Sequence, residues 1–308
     1  MSRIIPIILL IGLGFLLKRI SFFSTDAKLG IDKIVIKISL PVLLFLSFSE
    51  LKLAPSDIPL IGSVFLFCLI LFYIGKAAFV LTGSRERLLP YLTTGLSFGL
   101  LGVPLYQTVF GFGNLGVYAK LGIGHELFFW LFFLTAMDSD FGNRKGFGSL
   151  LIGFAKSPAI IAIFGGIALG LAGLGEAFDR YAVLGGIRAA MQSVAGLASP
   201  LVLISVGYGL RIETAHIKKS FAYVGLRLCS ALVVGFLIKA LLLDRFVPRD
   251  PLFDHAYFLL TILPPVFSLP MFTAPFVSPE KNALANNVIV LYTIFTLAIF
   301  MTYVVLAV

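Results

Sequence analysis

Apolar residues run through this chain in long blocks separated by short polar punctuation. A helix needs about 20 mostly apolar residues to cross the hydrocarbon core of a bilayer. Ten blocks approach or exceed that length, at approximately 3–20, 29–49, 58–81, 88–110, 114–137, 157–175, 183–210, 219–243, 255–277 and 284–307. Strands of a membrane barrel would instead be about ten residues of alternating polarity, and no segment alternates that way. The pattern predicts an all-α polytopic membrane protein of ten transmembrane helices. The stretch 146–156 (GFGSLLIGFAK) reads as an interfacial approach to the sixth. Within the first block the apolar run from Ile4 to Leu17 is followed by Lys18 and Arg19, not by a small-residue cleavage site, so it reads as a retained span.

Composition agrees. Hydrophobic residues make up 59% of 308 positions and charged residues 13%, with a mean hydropathy of +1.04. Soluble domains are about 45–50% apolar and about 25% charged. The net charge of +9 does not indicate nucleic acid, because the bases sit in short loops rather than on one face. Thirteen Lys and Arg residues, from Lys18 to Lys281, follow odd-numbered blocks, whereas Arg3, Lys52, Arg180, Arg245 and Arg249 lie on the opposite side. The positive-inside rule then places both termini outside the cytoplasm, as expected for a multi-pass protein of a bacterial inner membrane. Cys68 and Cys229 lie alone in apolar stretches and read as inert. Lys37, Lys76, Arg188, Arg227 and Lys239 lie near predicted helix ends, where their head groups are expected to snorkel to the interface.

Prolines reveal an internal repeat. Pro6 and Pro158 open the first and sixth blocks, 152 residues apart. Pro41 and Pro200 in the second and seventh are separated by 159, and Pro104 and Pro270 in the fourth and ninth by 166. Each half holds five spans, an odd number, so the second half enters the membrane upside down. The expected plan is a 5+5 inverted repeat, a common architecture of secondary transporters. It gives a first repeat over 1–137, a cytoplasmic linker over 138–156 and a second repeat over 157–308.

The fourth and ninth blocks are expected to be broken. Ser97-Phe98-Gly99-Leu100-Leu101-Gly102-Val103-Pro104 and Leu263-Pro264-Pro265-Val266-Phe267-Ser268-Leu269-Pro270 cannot form straight helices. If the two breaks cross at mid-membrane, half-helix N-termini with free N–H groups converge there, which suits an anion such as a carboxylate. Ser97, Gly102, Pro104, Gln107, Pro265, Ser268 and Pro270 are the candidate substrate-binding residues, with Thr273 beside the second break. In the fifth block, His125 and Glu126 lie half-way along an apolar helix, where an ionisable group is a candidate for coupling. Glu126 could carry a coupling proton or be held by a partner such as Lys120, and His125 reads more readily as a hydrogen-bonded packing residue than as a coupling group. Gln192, Asn286 and Asn287 read as interhelical glue.

These motifs resemble those of the auxin efflux carrier family, which includes bacterial permeases and the plant PIN-formed carriers. Ser97 to Leu105 is similar to that family's approach to a Gly-(Ile/Leu/Val)-Pro-Leu break, followed by Phe110-Gly111. Pro265 and Pro270 match its pair of prolines five apart, Gly12 to Ser21 its first span, and Leu40-Pro41 its second. The resemblance implies a carrier of small organic anions, with substrate at the crossing of the fourth and ninth spans. It also implies an elevator-like motion against a scaffold of the first, second, sixth and seventh spans, often a homodimer interface. Two departures stand out. Ser97 occupies the place of a substrate-contacting Asn, and His125-Glu126 replaces an uncharged amide.

A sodium-coupled carrier of the bile-acid symporter type shares this plan, but would supply more acidic and amide groups around the crossing than Glu126, Gln107 and Asn286. An intramembrane enzyme needs a nucleophile or metal cluster. His125, His216 and His255 are scattered, and no Asp lies clearly inside a span, so no enzyme activity, cofactor or metal is expected. A membrane-embedded sensor remains the reading from a third class.

Overall fold

The computed structural model describes residues 4–51, 54–83, 86–141, 148, 152, 153, 155–173, 181–210, 214–247, 250–274 and 276–307. Most of the 138–156 linker lies outside them, as do Arg3, Lys52, Arg85, Arg144, Lys145, Arg180, Arg211 and Arg249.

The described chain is all-α. In order, it forms α1 (Ile5–Arg19), α2 (Thr25–Ile34), α3 (Leu40–Ser49), α4 (Ile58–Leu81), α5 (Leu89–Thr93) and α6 (Val103–Phe110). There follow α7 (Phe112–Phe141), α8 (Pro158–Leu171), α9 (Ala182–Gly209), α10 (Ile217–Phe246), α11 (Pro251–Thr261), α12 (Leu269–Thr273) and α13 (Pro279–Ala307). Five of these, α4, α7, α9, α10 and α13, are long and apolar enough to cross a membrane. Their outward faces stay apolar: Leu81, Val183, Phe236 and Leu306 are each at least 72% exposed. In water, apolar surface on this scale would drive aggregation; against lipid tails it is matched. These helices point to an integral, multi-pass membrane protein.

The chain divides into two compact units, each assembled from non-contiguous segments. The first comprises Met1–Ala54, Gly99–Ala119 and Leu151–Leu210. Within it, α1 packs along α9 and α8 along α3. Both pairings depend on glycine. A methyl group at Gly14 would fall on the carbonyl oxygen of Ile204, and one at Gly207 on that of Ile11. In the other pair, a methyl at Gly166 would lie 2.5 Å from the Phe45 carbonyl oxygen and one at Gly170 2.8 Å from that of Ser49. Small residues let membrane helices approach to backbone contact, where van der Waals packing holds them together. Gly14→Ala and Gly207→Ala should therefore each lower the melting temperature of the detergent-solubilised protein, because overpacking a close contact costs about 1–3 kcal/mol. Gly12→Ala, with no atom within 4 Å of the new methyl, should melt like the wild type. Equal melting of all three would contradict this packing.

The second unit comprises Pro55–Phe98, Lys120–Leu150 and Arg211–Val308. Here α4 packs against α5 and α10, and α10 against α13. Gly75 of α4 meets Thr93, the last residue of α5, and Gly235 of α10 meets Thr261, the last residue of α11. Asn287 donates to Ser220 at 3.0 Å, joining α13 to α10, as expected of interhelical glue.

Candidate functional site

Both proline-rich blocks are interrupted. The fourth leaves helical geometry after Thr93: Thr94 is extended (φ −126°, ψ −177°) and Gly95 is left-handed (φ 67°), a conformation that favours glycine. A wide turn over Phe98–Gly102 then leads into α6, with Pro104 in its first turn. The ninth leaves it after Thr261 and resumes at Leu269, with Pro270 in the first turn of α12. Proline is tolerated there because the N–H it lacks has no intrahelical partner anyway.

An interruption in an apolar environment strips backbone groups of partners, and each must be satisfied within the protein. In the second unit the two interruptions satisfy each other. Ser97 N–H donates to the Pro264 carbonyl at 3.0 Å, the Ser97 hydroxyl donates to the Pro265 carbonyl at 2.6 Å, and Phe267 N–H donates to the Ser97 hydroxyl at 3.1 Å. Ser97 is buried and clasps the two breaks together. Neighbouring groups are held from outside: Thr94 Oγ1 donates to the Cys68 carbonyl of α4, and Thr296 Oγ1 of α13 donates to the Ile262 carbonyl at 2.6 Å.

His125 has a defined role in this arrangement. Its Nε2 accepts from Leu96 N–H at 3.1 Å, so in the neutral ring the proton lies on Nδ1. Nδ1 is 3.4 Å from Glu126 Oε1, and Trp130 Nε1–H donates to Glu126 Oε2 at 3.1 Å. Phe98 and Phe129 stack on the ring. The His125 ring thus holds the backbone of the fourth-helix break through Nε2, while Nδ1 lies near the half-buried Glu126 carboxyl group without hydrogen-bonding to it. Lys120 does not pair with Glu126; both of its 2.9 Å contacts are with the Asp57 carboxylate.

Arg227 departs most from the sequence-based expectation. Instead of snorkelling, it is fully buried in α10. It donates to the carbonyls of Leu92 at 3.3 Å, Gly95 at 2.7 Å and Leu263 at 3.0 Å, and its guanidinium lies 5.1 Å from the centre of the Tyr292 ring. The physical reason is local. The breaks leave carbonyls at the ends of α5 and α11 that need donors, and a guanidinium presents five in one plane. Of the other cations expected near helix ends, Lys76 lies 6.0 Å from the centre of the Phe72 ring, Arg188 pairs with Glu50, and Lys239 with Asp244 and Asp254.

The remaining candidates fall into two groups. Ser268 and Pro270 follow the ninth-helix break in the second unit, and Thr273 donates to Asn282 at 3.2 Å. Gly102, Pro104 and Gln107 belong to the first unit, where Gln107 Oε1 accepts from Ser199, next to Pro200, at 2.6 Å. No protein-family model matches the chain, and no curated protein matches it. Among the described residues, no three His, Cys, Asp or Glu side chains are grouped to hold a metal ion.

Sequence reasoning singled out Ser97, His125, Glu126 and Pro265, but missed the importance of Arg227 and Thr296. Arg227 carried one overlooked signal: it lies ten residues into α10, about 15 Å along the helix at 1.5 Å per residue. That is a long reach to an interface.

Proposed function

We propose that the chain is a secondary carrier for a small organic anion, working by alternating access with substrate at the crossing of the fourth and ninth helices. The observation that carries this reading is the clasp through Ser97 of two interrupted helices within an apolar bundle. Irregular backbone at membrane depth is tolerated where protein or a cavity supports it, and carriers place substrate at such breaks.

Paired contacts support the inverted ten-span repeat. Gly14 and Gly166 are 152 residues apart, as are Pro6 and Pro158; their neighbours Ile204 and Phe45 are 159 apart, as are Pro200 and Pro41. Gly75 against Thr93 has its counterpart in Gly235 against Thr261. A proline pattern arising by chance would not carry tertiary contacts along with it. The resemblance to auxin efflux carriers favours a carboxylate substrate, and Lys/Arg asymmetry favours both ends outside the cytoplasm.

A thermal-shift screen of carboxylates on purified protein tests the substrate class: at least one should raise the melting temperature and compete for its own uptake in proteoliposomes. A screen with no stabilising carboxylate and no flux would reject the reading. Coupling has its own test. Glu126→Gln should retain carboxylate binding and lose the pH dependence of uptake, whereas an unchanged pH profile would leave Glu126 a purely structural role.

A further inference from the structure

We propose that Arg227 is the built-in cation of the crossing: its guanidinium occupies the carbonyl cluster where a coupled alkali cation would otherwise bind, so the protein neither needs nor admits sodium there. The inference rests on the carrier reading for its consequence in transport, but its geometry stands independently. Three carbonyl oxygens, from Leu92, Gly95 and Leu263, converge on one guanidinium from two separate interrupted helices. In carriers with discontinuous helices, unwound carbonyls and half-helix C-termini are the groups that coordinate sodium. Such oxygens carry partial negative charge and, in a region closed to water, require either donors or a cation.

Arg227 supplies both. It has no exposed surface, and among the described residues no carboxylate pairs with it. The negative ends of α5 and α11, with the face of Tyr292, are therefore its electrostatic partners. A sodium ion at this cluster would lie within contact distance of a fixed positive charge and compete for the same oxygens. Unlike sodium, the guanidinium is tethered to α10 and cannot leave during a transport cycle. It keeps the breaks apart from helical continuity whatever ions are present. The Nε–H of Arg227 makes no hydrogen bond, so the terminal nitrogens that face the carbonyls do the bridging.

Thermal melting in equimolar NaCl, KCl and choline chloride tests the proposal on wild-type protein, Arg227→Ala and Arg227→Lys. The wild type should melt identically in all three salts. Arg227→Ala should melt several degrees lower and regain part of the loss in millimolar guanidinium or in NaCl, but not in choline chloride. Arg227→Lys, which keeps a charge but reaches fewer carbonyls, should fall between the two without a sodium response. If the alanine variant does not accumulate, Arg227→Gln, which is shorter but keeps a neutral amide donor, takes its place. A sodium-specific rise in wild-type melting would overturn the proposal. So would a neutral variant that melts like wild type, or one that shows no cation response. Melting reads the proposal with or without transport; absence of carboxylate flux from every folded form would count against the carrier reading alone.

Discussion

Pro104→Ala and Pro270→Ala should each reduce carboxylate flux to that of protein-free liposomes, with membrane insertion unchanged. Pro270 lies in the first turn of the half-helix that follows its break, and Pro104 at the start of α6, after the wide helical turn Phe98–Gly102. At Pro270 the missing N–H leaves the Val266 carbonyl to be satisfied by Leu269 N–H in a tighter turn, at 3.0 Å. At Pro104 the preceding segment forms a wide turn over Phe98–Gly102. Alanine restores the N–H and removes the ring that clashes with the preceding carbonyl, so the helix can propagate back into the interrupted segment. A straightened fourth or ninth helix would draw Ser97 away from Pro264 and Pro265, dissolving the clasp. Pro6→Ala is the control: Pro6 lies in the first turn of α1, outside both interrupted helices, and flux should be retained. Full flux in both crossing variants would contradict the proposed role of the breaks.

Ser97→Ala should produce the largest stability loss of any single-hydroxyl deletion in the second unit. The Ser97 hydroxyl simultaneously donates to one carbonyl and accepts from one amide across the crossing. Removing it takes that partner from the buried Pro265 carbonyl and from the partly buried Phe267 N–H, at about 1–3 kcal/mol for a fully buried unsatisfied group. Ser97→Cys, which keeps the size but offers only a weak donor and acceptor, should lose part of that. Melting temperatures of the three forms give the order wild type, cysteine, alanine. An alanine variant that melts with the wild type would show that the clasp does not hold the breaks together.

How much of this was legible in the sequence depends on whether the cause is local. The span 58–81 coincides with α4 at both ends, because an unbroken apolar run bounded by polar residues leaves little freedom in where a helix starts and stops. The positions of the two breaks were legible for the same reason: Gly and Pro act on their own backbone. The first block fell short of expectation, as α1 spans 15 residues. What the sequence could not show was which groups would satisfy the exposed backbone. Ser97 finds its partner 168 residues away and Arg227 finds one 132 residues away; neither separation has any sequence signature. Arg227 was therefore read by the usual habit of an arginine in an apolar helix, which is to snorkel, and its burial became visible only once α5 and α11 ended beside it. His125 is intermediate. Its position in an apolar helix marked it, but its hydrogen bond with Leu96 required the fold.

Counterflow by purified, reconstituted wild-type protein tests the central claim most directly. With a stabilising carboxylate trapped inside the liposomes, labelled carboxylate added outside should accumulate transiently above equilibrium, and its accumulation should vanish in Pro104→Ala and Pro270→Ala. A folded protein that exchanges no carboxylate faster than protein-free liposomes would contradict the account.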